Sequence, residues 1–142
     1  TEQQYPEPTV GVLIFNPEGK IFLMKSHKWK NKYVLPGGHV ELGEKIEEAV
    51  KREVKEETSL DVYDLEFICV AESIFDDAFW KKKHFIGTNY ACKTDSTKAV
   101  LDKEGQKYIW TTLHDILKLN LESCARQAIK EYMKKKSIKN TF

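Results

Sequence analysis

Residues 37–60 read GGHVELGEKIEEAVKREVKEETSL, and this stretch decides how the chain folds and what it can do. Pro36 and the two glycines stop any regular element, and Gly43 to Thr58 then carries the pattern of a helix. On a wheel of 3.6 residues per turn, Ile46, Val50 and Val54 form one stripe with Ala49 beside them. Glu47, Glu48, Lys51 and Lys55 fall on the opposite, solvent side. Glu53 and Glu57 project within the apolar stripe, and Glu56 falls next to Ala49. Three carboxylates at i, i+3 and i+4 therefore face the side that packs. In water such neighbours cost roughly a few tenths of a kcal/mol, and partly desolvated each uncompensated charge costs about several. Arg52 compensates one carboxylate, not three. A divalent cation is the economical answer, and carboxylate ligation favours Mg²⁺ or Mn²⁺. The competing reading is an acidic patch solvated at a helix edge. Gly37 and Gly38 supply a flexible backbone just ahead, where a carbonyl can turn toward the same ion.

Outward from this helix the pattern alternates strands and turns. Thr9 to Phe15 and Ile21 to Lys25 are apolar and β-rich, and Asn16-Pro17-Glu18-Gly19 makes them a hairpin. A charged loop, Ser26 to Lys32, leads to Tyr33-Val34-Leu35. Val62 to Phe75 and His84 to Lys93 read as longer strands joined by a mobile connection, Phe75 to Lys83. After a polar loop, Thr94 to Gly105, come a short strand at Lys107 to Trp110 and a helical turn at Leu113 to Leu117. Glu122 to Lys136 reads as an amphipathic helix with Cys124, Ala128, Ile129 and Met133 inward and its lysines solvated. The order predicts an α/β fold: a mixed sheet flanked by helices, one domain over residues 1–142.

Composition narrows the function. The 142 residues carry 23 basic and 22 acidic side chains, a net charge of +1. No global field steers the chain to nucleic acid or an anionic membrane. The apolar run Val10 to Phe15 is far short of the ~20 residues that span a bilayer. The opening Thr-Glu-Gln-Gln-Tyr-Pro has no signal-peptide blocks, and without an initiator Met it implies processing or a cut upstream. Cys69, Cys92 and Cys124 lack metal or redox spacing and read as buried free thiols of a reducing cytosol. A cytoplasmic location is expected.

The motif is more specific than its parts. Gly38, five residues, Glu44, seven residues, then Arg52-Glu53-Val54-Lys55-Glu56-Glu57-Thr58-Ser59-Leu60 resembles the Nudix box. At about one residue in fifteen per type, the matches at Gly38, Glu44, Arg52, Glu53, Glu56 and Glu57 would arise by chance in about one such chain in 10⁵. The strand order also resembles the Nudix α/β/α sandwich. The departure is Ser59, where the family has glycine to end the helix in a left-handed conformation; serine there costs about 1 kcal/mol.

The resemblance implies hydrolysis of a nucleoside diphosphate derivative within its pyrophosphate. Glu53, Glu56 and Glu57 would hold Mg²⁺ or Mn²⁺, helped by the Gly38 carbonyl. Glu53 is the first candidate for general base, with Glu44 and Arg52 orienting the ligands. Glu104, in Lys103-Glu104-Gly105-Gln106, resembles a loop acid that reaches the metal in the 8-oxo-dGTP-cleaving branch. Lys25 could contact phosphate. Trp29, Phe75, Phe79, Trp80 and Asn120 are available to hold a base. The run from Tyr108 to Arg126 is similar to nucleoside-triphosphate-cleaving members, which favours a (d)NTP giving monophosphate and pyrophosphate. ADP-ribose or nucleotide-sugar hydrolysis, a non-catalytic nucleotide-binding module and RNA-end processing are the alternatives. The expected partner is a small nucleotide, not a membrane or a nucleic acid, and a homodimer is left open.

Overall fold

The computed structural model describes residues 3–103 and 105–137. Seven strands form one mixed sheet: β1 (Glu7–Phe15), β2 (Ile21–Ser26), β3 (Lys32–Val34), β4 (Gly37–His39), β5 (Tyr63–Ile74), β6 (His84–Lys93) and β7 (Gly105–Thr111). Along its main path the order is β3-β2-β1-β6-β5, with β4 on β1 and β7 on β2. β1 and β6 run parallel from Glu7↔Phe85 to Phe15↔Lys93, and the other pairs are antiparallel. Among the described residues there are three α-helices, α1 (Ile46–Thr58), α2 (Leu113–Ile116) and α3 (Ser123–Ser137), and a 3-10 turn at His27–Trp29.

Alternation along the strands feeds two cores. Val10, Val12, Ile14, Phe22, Met24 and Tyr90 pack with Val50, Val54 and Leu60 on the α1 side. Leu13, Ile21, Leu23 and Ile68 pack with Ile116 and Ile129 on the α2–α3 side. The α/β/α sandwich follows directly from these two faces. No helix among the described residues is long and apolar enough to cross a membrane.

Four expectations need correction. Gly37 and Gly38 do not interrupt regular structure; they enter β4, paired with Gly11 and Val10. A Cβ on Gly37 would collide with the Val10 carbonyl, so the strand needs glycine for close approach rather than for a turn. The helix begins at Ile46, not Gly43. Glu41 to Glu44 form a turn closed by the Glu44 N–H on the Glu41 carbonyl (2.9 Å), with Gly43 at φ +83°. Ile46 lies in the first turn and is 41% exposed, while Thr58 continues the buried stripe. All three cysteines are free, but only Cys92 is buried; Cys69 and Cys124 are half-buried.

Candidate active site

Arg52 is the hub of the site. Its Nε and Nη2 grip the Glu44 carboxylate at 2.7 and 2.9 Å. Nη1 donates to Glu53 at 3.0 Å and to Glu56 at 3.1 Å, and Nη2 also donates to the His39 carbonyl at 2.9 Å. The helix makes this reach possible, because Arg52 and Glu56 are one turn apart and the 41–44 turn folds back along the same face. The Arg52 guanidinium, aided by the Glu41 N–H, pulls the Glu44 carboxyl down to about 2. The same contacts raise the guanidinium's own pKa.

The three predicted ligands line one cavity with Gly37 and Gly38. Glu57, only 5% exposed, accepts the Gly37 N–H at 3.1 Å. Glu53 closes over Gly38: a Cβ there would lie 2.5 Å from its carboxyl carbon and 2.6 Å from Oε2. Its side chain is 13% exposed, against 58% for Glu56. Among the described residues no three acidic, imidazole or thiol groups are gathered as a ready metal cage. Arg52 Nη1 bridges Glu53 and Glu56, while Glu57 is held separately by the Gly37 N–H. The donor chemistry nonetheless fits a hard divalent ion: three oxygen donors on one helix face and a backbone stripped of Cβ beneath them.

The cavity, of about 420 Å³, runs from these acids to an aromatic wall. Trp29 and Phe79 meet at 4.5 Å between ring centroids, Phe79 and Phe85 at 5.2 Å, and Phe85 and His39 at 5.8 Å. His39 follows Gly38, so the rings lead to the acids without a break. Its imidazole is held by Glu7 at 2.6 Å. The sheet floor contributes Gly11, Ala71, Ser73, Gly87 and Asn89, and the start of α3 contributes Glu122 and Cys124. Asn89 is buried over Gly11, where any Cβ would strike its Oδ1. The Ser73 hydroxyl is buried with no hydrogen-bond partner among the described residues. Glu122 caps α3 through the N–H groups of Cys124 (2.6 Å) and Ala125 (3.0 Å), and burial raises its carboxyl pKa.

Glu44, Arg52, Glu53, Glu56, Glu57 and Gly38 thus come together. Lys25 does not join them: its ammonium lies 5.3 Å from the Tyr33 ring centroid, while its neighbours Met24 and Ser26 line the cavity. Glu104 lies outside the described residues. The loop before it runs against the end of α1, with the Asp102 N–H on the Glu57 carbonyl at 3.1 Å. Of the aromatic and amide candidates Trp29 and Phe79 line the cavity, whereas Phe75, Trp80 and Asn120 do not. Asn89, Ser73, Phe85, Lys28 and Glu122 went unnoticed in the sequence. Asn89 alone carried a signal, a polar amide next to the apolar run Tyr90-Ala91-Cys92.

The family described as NUDIX domain matches residues 5–132, and the chain belongs to it. An ADP-ribose pyrophosphatase of Methanocaldococcus jannaschii is 49% identical over 59 residues, 39% of this chain and 35% of that protein. An RNA pyrophosphohydrolase of Caulobacter vibrioides is 39% identical over 64 residues, 42% of this chain and 37% of that one. The matched segments span about a third of each relative's length. A MutT NUDIX hydrolase from Burkholderia pseudomallei superposes with a TM-score of 0.77 at 26% identity, over 90% of this chain and 98% of that one.

Proposed function

We propose that the chain is a metal-dependent pyrophosphohydrolase that cleaves a nucleoside triphosphate to monophosphate and pyrophosphate. The carrying observation is the single cavity that joins the α1 carboxylates to an aromatic and amide wall. One end suits a phosphate chain bridged by cations; the other suits one base. A cavity of about 420 Å³ with one such wall matches a mononucleotide better than a substrate with two large end groups. ADP-ribose hydrolysis is the second reading, favoured by the 49% identity to the pyrophosphatase, although that match covers 39% of this chain.

Glu53, Glu56, Glu57 and the Gly38 carbonyl would hold Mg²⁺, with Mn²⁺ as a substitute. A bound divalent ion neutralises phosphate charge and acidifies a coordinated water. The chain's own groups do the rest. Glu53, enclosed and one bond from Arg52, takes the proton of the attacking water. Arg52 aims the Glu53 and Glu56 carboxylates, and Glu44 fixes Arg52 from behind. Trp29, Phe79 and Phe85 enclose the base and exclude water, while the Ser73 hydroxyl and the Asn89 amide are placed to read its polar edge.

The test is a panel of nucleoside triphosphates, ADP-ribose and nucleotide sugars with Mg²⁺ or Mn²⁺, with products resolved by chromatography. Monophosphate plus pyrophosphate from a triphosphate is expected. Turnover of ADP-ribose alone would transfer the assignment to the second reading. Full activity in excess chelator would end the metal-dependent one.

A further inference from the structure

The closed end of the β5–β6 hairpin leaves its largest apolar groups in water. Trp80 is 58% exposed, and Tyr5, Ile74, Phe75 and Ile86 are exposed with it. Ile74 and Ile86 are diagonal neighbours on one sheet face, since Glu72 pairs with Ile86 and Ile74 with His84. The Phe75 ring turns to that face, 6.2 Å from the His84 ring. It does so from a left-handed backbone, φ +52°, which a bulky residue adopts only where its surroundings hold it. The Phe75 N–H on the Lys83 carbonyl, at 2.8 Å, supplies that hold. Tyr5 is drawn to the same end by the Gln3 amide, which bonds the Tyr5 and His84 carbonyls at 2.7 and 2.8 Å. The tip is not a loose flap. The Trp80 N–H donates to the Lys28 carbonyl at 2.8 Å, and Asp76 accepts the Ser123 hydroxyl at 2.8 Å.

Lysines surround these apolar groups. The Lys81 ammonium lies 4.4 Å from the Trp80 ring centroid and the Lys28 ammonium 6.0 Å, while Lys82 lies 4.9 Å from the Phe75 centroid. Cation–π attraction explains where these lysines sit, but not why the rings are outside. The Asp76 carboxyl is held below its ordinary value first by the Ala78 N–H, and Lys32 and Lys30 act in the same direction. Glu7 takes Lys83 at 2.6 Å. Glu72 and Asp77 are the other acids of the hairpin end, and among the described residues Lys81 and Lys82 form no ion pair. The whole-chain charge of +1 excludes a global field but averages over this local one.

We propose that this hairpin end docks the protein on an anionic lipid bilayer, with Ile74, Phe75 and Trp80 entering the headgroup boundary and Lys81 and Lys82 meeting lipid phosphates. The make-up of the tip selects this partner. Protein interfaces are depleted of lysine at their centres, whereas here ammonium groups lie on the rings themselves. A single-stranded nucleic acid would stack on the indole but has no use for Ile74 and Ile86. A bilayer surface engages every part: apolar and aromatic groups at the boundary, ammonium groups among the headgroups. Lys28 and Phe79 line the cavity, and the Phe79 centroid is 6.4 Å from that of Trp80, so docking sets the cavity mouth beside the lipid. The inference goes beyond hydrolysis and stands whatever the cavity cleaves.

The test is co-sedimentation with vesicles of phosphatidylcholine alone and of phosphatidylcholine mixed with phosphatidylglycerol, across a salt series. Quenching of tryptophan fluorescence by brominated acyl chains reports which ring enters. Wild type should bind the mixed vesicles at least about tenfold more tightly than the neutral ones, with the difference shrinking as salt rises. The double variant Lys81→Gln/Lys82→Gln should lose about tenfold on mixed vesicles. Lys130→Gln/Lys134→Gln, which removes the same charge from the exposed side of α3, should lose less than about twofold. Trp80→Ala should weaken binding. Trp80→Phe should keep most of it yet remove most of the quenching, because Trp29 and Trp110 are half-buried. No binding to mixed vesicles at low salt, equal losses in the two double-lysine variants, or undiminished quenching in Trp80→Phe would overturn the docking. Trp80-dependent binding of a single-stranded oligonucleotide, with no binding to vesicles, would overturn it in favour of a nucleic acid.

Discussion

Each of the five N–H donors of Arg52 is engaged, and its strongest partner, Glu44, never reaches the cavity wall. The sign of its pH dependence follows. The ordinary carboxyl value of 4.5 is lowered to about 2, so the pair's contribution is complete above about 4.5 and is lost as pH falls toward 2. Urea denaturation across that window should show Glu44→Gln with a flatter stability profile than wild type; parallel profiles would remove Glu44 from the network. The two adjacent glycines make a second residue-scale test. Gly38→Ala directs its Cβ at the movable end of Glu53, whereas Gly37→Ala directs it at fixed backbone. Gly38→Ala should therefore lose about 100-fold in kcat, equivalent to about 2.7 kcal/mol, with stability changed by less than about 1 kcal/mol. Gly37→Ala should destabilise by more than about 2 kcal/mol. Similar melting temperatures for the two, measured by circular dichroism, would contradict this division.

At the scale of elements, the end of α1 answers the question raised by Ser59. The residue is left-handed, at φ +64° and ψ +11°, and its N–H closes on the Lys55 carbonyl at 3.0 Å. Serine adds a bond that glycine cannot make, from Oγ to the Val100 carbonyl at 3.2 Å. Ser59→Gly removes the steric penalty of about 1 kcal/mol but loses this exposed bond and adds unfolded-chain entropy. A net stabilisation of about 0.5 kcal/mol or less is expected, with kcat within about twofold, since Ser59 does not line the cavity. A large loss of kcat at unchanged stability would give it a role this geometry denies. The same helix shows what a sequence makes legible. Glu53, Glu57, Val50 and Val54 could be placed because a 3.6-residue period leaves little freedom over three turns. Ile46 leaves the buried stripe because it is the first residue of the helix, 41% exposed, and β4 has no alternation to read because its first two residues are glycines. The pairing of β2 with β7, across most of the chain, has no local signature at all.

For the molecule as a whole, the gathering of the acids at one end of the cavity was legible in the sequence, and the make-up of its aromatic and amide wall was not. Glu44 to Glu57 lie on one continuous helix and turn, so their meeting is local. Ser73, Phe85 and Asn89 meet Trp29 only because β5 and β6 stack beside β1, and alternation cannot distinguish a position facing a cavity from one facing the core. This separation makes metal binding and folding independently measurable. The α1 carboxylates repel one another, and if they hold the cation as proposed, binding relieves that repulsion. Mg²⁺ at about 100 times its Kd should add about 2.7 kcal/mol, roughly 10 °C in Tm for a domain of this size. Glu56→Gln and Glu57→Gln should lose most of that gain and at least about 100-fold in kcat. Without metal, Glu56→Gln should melt within a few degrees of wild type, because its loss of an exposed Arg52 contact is balanced by relieved repulsion. Glu57→Gln keeps a carbonyl acceptor for the Gly37 N–H and should also stay folded. Equal Mg²⁺ shifts in wild type and both variants would place the cation elsewhere, and the α1 acids would then have to be explained by Arg52 and the sheet alone.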